Sequence, residues 1–347
     1  MTPAKLHVTL EDVAQKARVS LATASRVLNG TTNVREDLRR RVVEAAANLA
    51  YTPNVHAQAL AGAALRSVGV ICHDVSDPYA AEVIRGVLRV ADENELLVML
   101  ASTFGEPDKE IAYVSMLRSQ RATAILLIGS GFEDRAWGRT LNAELEPYRR
   151  GGGQVAVVSR HRNIKADTVQ PDNKGGAKAL AAALLGLGHR RFAVLTGPHT
   201  LTSVVERLSG FREGLAEGGI ELSDRDIFEG EFDREGGYAA AREMIAAKHR
   251  ASCVFAVSDL MAVGALAALR EEGRSVPEDV SLAGFDDIPL ARDLAPPLTT
   301  VALPLEQLGE QALRLALSGH PGERNRVRRI GGEVILREST ARRRRRR

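Results

Sequence analysis

The sequence predicts an α/β protein in which a small helical head precedes two doubly wound lobes, each built on a parallel sheet. From Ser67 onward, short runs that are apolar on both faces alternate with helical patterns. This alternation is typical of parallel strands covered by helices on both sides. Before Ser67, apolar residues recur only at helical spacing. A chain of 347 residues is also long enough for two or three domains.

The head begins with the stretch Val8–Gly30, which reads VTLEDVAQKARVSLATASRVLNG. Its spacing predicts two short helices joined by a tight turn at Arg18. Thr9 is placed to cap the first helix, and Ser20 is placed to cap the second. A third helix, predicted over Val34–Ala50, carries an apolar stripe that would pack against the first two.

The first turn of the second helix is predicted to point outward. Its outward residues are Leu21, Ala22, Thr23, Ser25 and Arg26. The major groove of DNA admits a helix, and the first residues of that helix reach base edges. Arg26 suits guanine, and the short hydroxyls suit phosphates. A helical hairpin with a solvated face is the alternative, but the residue pattern favours a helix-turn-helix that reads DNA.

The pattern TLEDVA…VS…T.SRVLNG, continued by Tyr51-Thr52-Pro53-Asn54, resembles the lac repressor (LacI/GalR) family of bacterial transcription regulators. The resemblance extends over nearly the whole chain and implies a body like that of the periplasmic binding proteins. Three positions depart from the family pattern. Arg18 stands where Gly is usual, Ala24 where Val is usual, and Arg35 where a Ser or Thr cap is usual.

The hinge segment Asn54–Ala61 is too short to be a stable helix on its own. The resemblance implies that two copies of it pair in a dimer and lie in the minor groove of the operator. Leu60 would then be the apolar wedge that opens a base step, with Asn54 and His56 as further DNA contacts. The alternative is a plain linker with Leu60 docked on the body.

The body reads as a regular alternation of strands and helices. The predicted strands are Val68–Cys72, Leu96–Ala101, Ala124–Ile128, Val155–Val158, Phe192–Leu195, Ile227–Glu229, Cys253–Val257 and Val280–Phe285. The predicted helices are Tyr79–Asn94, Lys109–Gln120, a weaker one before Pro147, Asn173–Leu187, Val204–Glu217, Arg234–Ala247 and Leu260–Glu272.

These patterns, with the resemblance, predict the domain organisation. The predicted parts are a head at 1–53, a hinge or linker at 54–65, a two-lobed effector-binding and dimerisation domain at 66–340, and an arginine tail at 341–347 kept disordered by self-repulsion. The resemblance implies three crossings between lobes. Lobe 1 is therefore expected at about 66–161 and 292–320, and lobe 2 at about 162–291 and 321–340.

The charge distribution favours phosphate binding by the head. The chain has a net charge of +3, but it ends in six arginines at 342–347, without which the balance is −3. Within residues 1–62, eight Lys and Arg oppose five Asp and Glu, which leaves the head at +3. A basic module on a mildly acidic body is typical of DNA binding confined to that module.

Several classes of protein are not expected. The sequence contains no run of about 18 apolar residues and no secretory signal, so a cytoplasmic protein without a membrane partner is expected. Cys72 and Cys253 lie in strand-like runs and are expected to be reduced and buried. The eight His and two Cys show no metal spacing. No glycine-rich phosphate loop or nucleophile elbow is present, so neither a cofactor nor an enzymatic activity is expected. A solute receptor is the other alternative, which the attached head argues against.

Ligands of open α/β sheets bind beyond the carboxyl ends of the strands. Small polar or charged residues stand at those ends: Asp77, Ser130, Arg160, Ser258 and Asp286. With both lobes facing each other, these residues would line one cleft, which is the default place for a small molecule.

The resemblance sharpens four positions in this cleft. It implies that Arg207 and Asp286 bind the effector, and that Phe232 and Tyr79 are aromatic contacts from opposite lobes. A carboxylate and a guanidinium grip hydroxyls, and an aromatic face covers an apolar ring face. A sugar or sugar derivative is therefore expected, with a purine or nucleoside second. Ser258 replaces an Asn common in sugar responders.

Structural roles remain open for some of these residues. Arg207 is alternatively an interlobe ion pair, Asp259 is at least as well suited to cap a helix as to bind ligand, and Trp137 is expected to pack. Taken together, the sequence predicts a ligand-responsive, sequence-specific DNA-binding transcription regulator. It is expected to be a repressor that binds a near-palindromic operator as a homodimer and is switched by a small effector in the interlobe cleft.

Overall fold

In the computed structural model, the chain forms two units, residues 1–66 and 67–347. The structure describes residues 8–28, 34–51, 66–319 and 325–343. The predicted fold class is confirmed. The described part of the first unit is helical, and the second unit contains two parallel sheets covered by helices. The hinge segment and residues 344–347 of the arginine tail lie outside the described residues.

The head contains α1 (Leu10–Ala17), α2 (Leu21–Leu28) and α3 (Glu36–Asn48). Both predicted caps are confirmed. Thr9 Oγ1 accepts the N–H of Asp12 at 3.3 Å, and Ser20 Oγ accepts the N–H of Thr23 at 3.2 Å. Small apolar side chains form the core between the helices: Val13, Ala14, Ala17, Ala24, Val27, Val42 and Ala45.

The turn between α1 and α2 places Arg18 in the left-handed region, with φ of 53°. Residues with a Cβ are disfavoured there by roughly 1–2 kcal/mol. The guanidinium of Arg41 in α3 donates hydrogen bonds to the carbonyl oxygens of Ala17 and Arg18, the latter at 3.1 Å. Arg41 thereby satisfies the end of α1 and offsets part of the cost of the turn.

Lobe 1 is built on six parallel strands. They are β1 (Ser67–Cys72), β2 (Leu97–Ser102), β3 (Ala124–Ile128), β4 (Gln154–Val158), β5 (Asp167–Pro171) and β11 (Val327–Ile330), in the spatial order β11-β5-β4-β3-β1-β2. The helices of this lobe are α4 (Pro78–Glu93), α5 (Pro107–Ser119), α6 (Arg135–Arg150) and α11 (Leu305–Leu317).

Lobe 2 is built on four parallel strands. They are β6 (Phe192–Thr196), β7 (Ile227–Glu229), β8 (Cys253–Ala256) and β9 (Ser281–Ala283), in the order β7-β6-β8-β9. An antiparallel pair, β10 (Thr300–Ala302) and β12 (Glu333–Ile335), continues beside β9. The helices are α7 (Asn173–Gly186), α8 (Thr202–Glu217), α9 (Arg234–Ala246) and α10 (Asp259–Glu271).

The strand pairing differs from the predicted lobe limits. β5 pairs with β4 and β11 pairs with β5, so both strands belong to lobe 1, whereas the sequence assigns these residues to lobe 2. β10 lies in lobe 2, whereas the sequence assigns it to lobe 1. The sequences of β5 (DTVQP) and β11 (VRRI) lack the apolar runs by which the other strands are predicted.

Helix α6 also continues past the end that the sequence predicts for it. Pro147 lies in the last turn of α6, which ends at Arg150. A proline there removes only one backbone N–H from the helix, so the last turn is retained.

Within the described ranges, no helix is long and apolar enough to cross a membrane. Cys72 and Cys253 are both free and buried, as the sequence predicts.

Candidate functional site: a helical face and an interlobe cleft

The start of α2 presents apolar and basic side chains at the surface of the head. Leu21, Ala22 and Arg26 are exposed, and Thr23 and Ser25 are half-buried. Leu21 is 49% exposed, although it is a large aliphatic residue beside a small core. Such a surface suits the thymine methyls and base edges of a major groove. The other predicted DNA contacts, Asn54, His56 and Leu60, lie outside the described residues.

A cavity of about 780 Å³ opens between the two lobes of the body. Residues that follow strands of both sheets line it, because parallel strands end at the same edge of a sheet. Seven of the eight predicted effector contacts line this cavity: Asp77, Tyr79, Ser130, Arg207, Phe232, Ser258 and Asp286.

Arg207 and Asp286 form a buried ion pair in the cavity wall. Arg207 Nη2 lies 2.6 Å from Asp286 Oδ1, and Nη1 lies 3.1 Å from Oδ2. The same guanidinium donates to the carbonyl of Val257 at 2.7 Å and to Asn173 Oδ1 at 3.0 Å. It also lies over the ring of Phe285, 4.1 Å from its centre. These contacts fix the orientation of the guanidinium before any ligand arrives.

Asp286 itself has a φ of 118°, a region that non-glycine residues rarely occupy. Asp259 holds this loop from behind, since Oδ1 accepts the hydroxyl of Thr300 at 2.6 Å and Oδ2 accepts the N–H of Ile288 at 2.9 Å. Burial raises the pKa of Asp259 to about 7. Ser258 caps α10. Both interpretations of Asp259 from the sequence are therefore wrong, because it neither caps the helix nor lines the cavity.

The lobe 1 wall begins at the first turn of α4. Asp77 caps that helix, with Oδ1 accepting the N–H of Tyr79 at 2.9 Å. Burial, helped by the carboxylates of Asp286 and Asp74, raises the pKa of Asp77 to about 6, while the N–H of Tyr79 and the charge of Arg207 oppose the rise. Burial also raises the pKa of the Tyr79 phenol, so it presents a neutral ring and hydroxyl to the cavity.

Ser130 lines the cavity and also joins the two lobes. Its Oγ donates to the carbonyl of Gly131 at 3.0 Å and accepts the N–H of Ser203, in α8, at 3.0 Å. The N–H of Thr202 donates to the Gly131 carbonyl at 2.8 Å. The hydroxyl of Ser130 is therefore engaged across the lobes.

Arg160, the eighth predicted effector contact, is not among the residues that line the cavity, and its contact with the effector stays a prediction. Its Nε donates to Glu206 of α8 at 2.7 Å, and its Nη2 donates to Glu133 of lobe 1 at 2.9 Å. Asn173 donates to the other oxygen of Glu206 at 3.0 Å and accepts from Arg207. Two carboxylates distant in sequence thus hold Arg160 in an interlobe contact that is joined to the cavity.

Sequence reasoning missed several residues that line the cavity: Phe104, Phe132, Glu231 and Asp233. All of them follow predicted strands, so their position was the available signal. Phe132 packs edge-on against Trp137, with ring centres 4.8 Å apart. Trp137 is buried and does not line the cavity, in agreement with the packing role predicted for it.

Known protein families match both units of the chain. Residues 9–54 match the family described as "Bacterial regulatory proteins, lacI family", and residues 181–340 match "Periplasmic binding protein-like domain". The HTH-type transcriptional regulator DegA of Bacillus subtilis (strain 168) is 32% identical over 97% of this chain and 99% of its own length.

Solved structures show the same architecture. The complex of the transcriptional regulator CelR with cellobiose has a TM-score of 0.70 and 30% identity, covering 96% of this chain and all of the other. The lac repressor dimer bound to operator and the anti-inducer ONPF has a TM-score of 0.82 at 24% identity, covering 96% of this chain and 99% of the other. DegA is 32% identical over nearly the full length of both chains. The chain therefore belongs to the lacI family of bacterial regulatory proteins and is a DNA-binding transcriptional regulator with a ligand-binding body.

Proposed function

We propose that this regulator is a repressor that binds a near-palindromic operator as a homodimer and is controlled by a small sugar-like effector in the interlobe cleft. The observation that carries this proposal is the cavity itself. Both lobes line it, and it contains the buried Arg207–Asp286 pair as well as the aromatic rings of Tyr79 and Phe232.

On the DNA, we assign base reading to Leu21, Ala22 and Arg26 of α2, and phosphate contacts to the hydroxyls of Thr23 and Ser25. Asn54, His56 and Leu60 are proposed to act in the minor groove, with Leu60 as the wedge. We take the functional division to be a head at 1–53, a hinge at 54–65 and an effector-binding body from 66.

A sugar or sugar derivative is the first choice of effector. Asp286 and Ser258 offer oxygens to hydroxyl groups, and the two aromatic rings offer faces for the apolar side of a ring. The solved complex of CelR with cellobiose supports this choice by analogy. A purine or nucleoside is the second choice, since it would also stack on Tyr79 or Phe232. No catalytic role is proposed for the cleft.

An effector that contacts both lobes changes their arrangement only if it binds one arrangement more tightly than the other. Two contacts between the lobes lie at the cleft and would change if the lobes moved. Ser130 meets Ser203, and Arg160 meets Glu206, across the lobes. We propose that these contacts transmit effector binding towards the head.

The edge of the first sheet supports dimerisation through lobe 1. β2 is an edge strand that leaves Leu97 and Leu100 about half exposed, and Leu88 of α4 is similarly exposed. An open edge with exposed leucines is a liability in a monomer and a ready interface for a second copy. Sedimentation of the purified protein tests this assignment, and a monomer at micromolar concentration would remove it.

The experiment that tests the proposed function is a thermal-shift screen against sugars, amino sugars, sugar phosphates, nucleosides and purines. A ligand at 100 times its Kd stabilises the folded state by about 2.7 kcal/mol, which is readily seen. The shift should disappear in Phe232→Ala, which changes the cleft, and persist in Trp137→Phe, which changes the adjoining core. A panel without a single Phe232-dependent shift would contradict the effector proposal.

A further inference from the structure

Acidic side chains outnumber basic side chains among the described residues that line the interlobe cavity. Six carboxylates line it: Asp74, Asp77, Glu231, Asp233, Glu235 and Asp286. Two guanidiniums line it, and each is already paired. Arg207 binds Asp286 through both oxygens, and Arg234 Nη1 lies 2.7 Å from Glu235. Among the described residues, both guanidiniums that line the cavity therefore already have a carboxylate partner.

Three of the other carboxylates are held by neutral donors. Asp74 Oδ1 accepts the N–H and the hydroxyl of Ser76, both at 2.8 Å, and Asp77 accepts the N–H of Tyr79. Asp233 caps α9 through the N–H of Gly236 at 2.7 Å. None of these aspartates forms an ion pair within the described part of the chain. The helix N-termini that they cap offset only part of their charge.

Asp77 is half-buried, and within the described part of the chain its carboxylate accepts only the N–H of Tyr79. Burial raises its pKa to about 6, and both Asp286 and Asp74 act in the same direction. Arg207 opposes them, but its guanidinium is committed to Asp286. His73 also lines the cavity, and burial lowers its pKa, so it supplies no positive charge near neutral pH.

We propose that the effector is a polyhydroxylated ring that carries a protonated amine, as the amino sugars do, and that ligands bearing a phosphate are excluded. The ammonium would lie between Asp74 and Asp77, beside the face of Tyr79. There it gains charge-assisted hydrogen bonds and a cation–π contact. The inference rests on the proposed function, because it assigns a charge to the ligand of that same cleft.

The opposite charge is disfavoured by the same geometry. A phosphate that enters the cavity meets the buried Asp286 and the half-buried Asp74 and Asp77, and both guanidiniums of the lining are already paired. Glu231, Asp233 and Glu235 are exposed, so solvent screens their charge. To use Arg207, it would have to separate the guanidinium from Asp286 and leave a buried carboxylate without a partner, which is costly. A neutral sugar avoids that penalty but leaves the charge near Asp77 uncompensated.

The test measures Kd by calorimetry for three matched sets: glucose, glucosamine and glucose 6-phosphate, and the corresponding galactose and mannose derivatives. In at least one set, the amino sugar should bind at least about tenfold more tightly than the neutral parent, and the phosphate should show no binding. Asp77→Asn should abolish this tenfold preference, so that the amino sugar and its neutral parent bind the variant with equal Kd. The asparagine still caps α4, so the fold is kept.

Asp134→Asn is the matched control, since Asp134 caps α6 in the same way but does not line the cavity. It should leave all affinities unchanged. If a phosphorylated sugar or a nucleoside is the tightest ligand, or if amine and parent bind equally, the charge inference is overturned and the proposed function stands. If none of the nine sugars binds and the wider screen is also blank, both fail.

Discussion

Arg207 and Asp286 meet in a bidentate ion pair, 2.6 Å and 3.1 Å between their atoms, with side chains only 4% and 6% exposed. The pair belongs at once to the cavity wall and to the core of lobe 2. Buried ion pairs contribute little net stability, but loss of one partner leaves an uncompensated buried charge. The residues that the family resemblance assigns to the effector are therefore also residues on which the fold depends.

Arg207→Ala is accordingly expected to lower the free energy of unfolding by about 3–5 kcal/mol, because it leaves the Asp286 carboxylate buried and unpaired. Urea unfolding of the full chain measures this. Arg212→Ala is the control on the same helix. Arg212 pairs with the exposed Asp224 at 2.6 Å, and loss of such a surface pair costs about 0–1 kcal/mol. Equal losses in the two variants would contradict the structural role of the pair.

Arg160→Met should weaken the coupling between effector and operator without removing the effector site. Arg160 bridges Glu133 and Glu206 across the lobes and does not line the cavity. We expect effector affinity to be largely kept, while the ratio of operator affinities with and without effector falls at least about fivefold. Arg118→Met, which breaks an ion pair within lobe 1, should leave the ratio intact. An unchanged ratio in Arg160→Met would exclude this contact from the switch.

Arg18→Gly should stabilise the head. Arg18 has a φ of 53°, where a Cβ costs roughly 1 kcal/mol and glycine has no such penalty. Hydrogen exchange of the α1 amides in the full chain should slow by up to about fivefold. Arg18→Ala removes the same side chain but keeps the Cβ, so it should bring no protection. Equal protection in both variants would locate the effect in the guanidinium instead of the backbone.

Glu110 makes stability depend on pH. It is 5% exposed in α5, and burial raises its pKa to about 8. Between pH 5 and 8 the folded state keeps a proton that the unfolded chain has released, so the contribution of Glu110 to stability falls as pH rises through 8. Glu110→Gln should therefore be more stable than the parent at pH 9, with the difference shrinking or reversing by pH 5. Glu243→Gln, at an exposed position, is the control. A stability difference between Glu110→Gln and the parent that does not change with pH would contradict the role given to Glu110.

Local patterns in the sequence predict most of the fold. The caps at Thr9 and Ser20 and the apolar runs such as β3 and β8 depend on neighbouring residues, so they are readable along the chain. β5 and β11 are not, because each is held by pairing with a distant strand. Their polar sequences give no sign of this pairing, and the lobe limits drawn from the sequence are displaced for that reason.

Some residues of the candidate site could likewise be predicted from the sequence, whereas others could not. Strand ends point to the cavity, so Asp77, Ser130 and Ser258 could be found from their positions alone. Arg160 also follows a strand, but its direction is set by Glu133 and Glu206, which lie 27 and 46 residues away in sequence. The role of Asp259 likewise depends on Thr300, which joins it only in the folded chain. A position just after a strand predicts that a residue lies near the cleft. Whether its side chain faces the cleft depends on hydrogen-bond partners that are distant in sequence.

Control of DNA binding by the cleft can be measured with an operator selected from random duplex DNA and an effector identified by the thermal-shift screen. Fluorescence anisotropy at fixed salt gives the operator Kd with and without saturating effector, for the parent chain and for Phe232→Ala. We expect the operator Kd to change by about 5–150-fold in the parent and not at all in the variant at the same effector concentration. An effector that binds the cleft of the parent and leaves its operator Kd unchanged would contradict the claim that the cleft controls DNA binding.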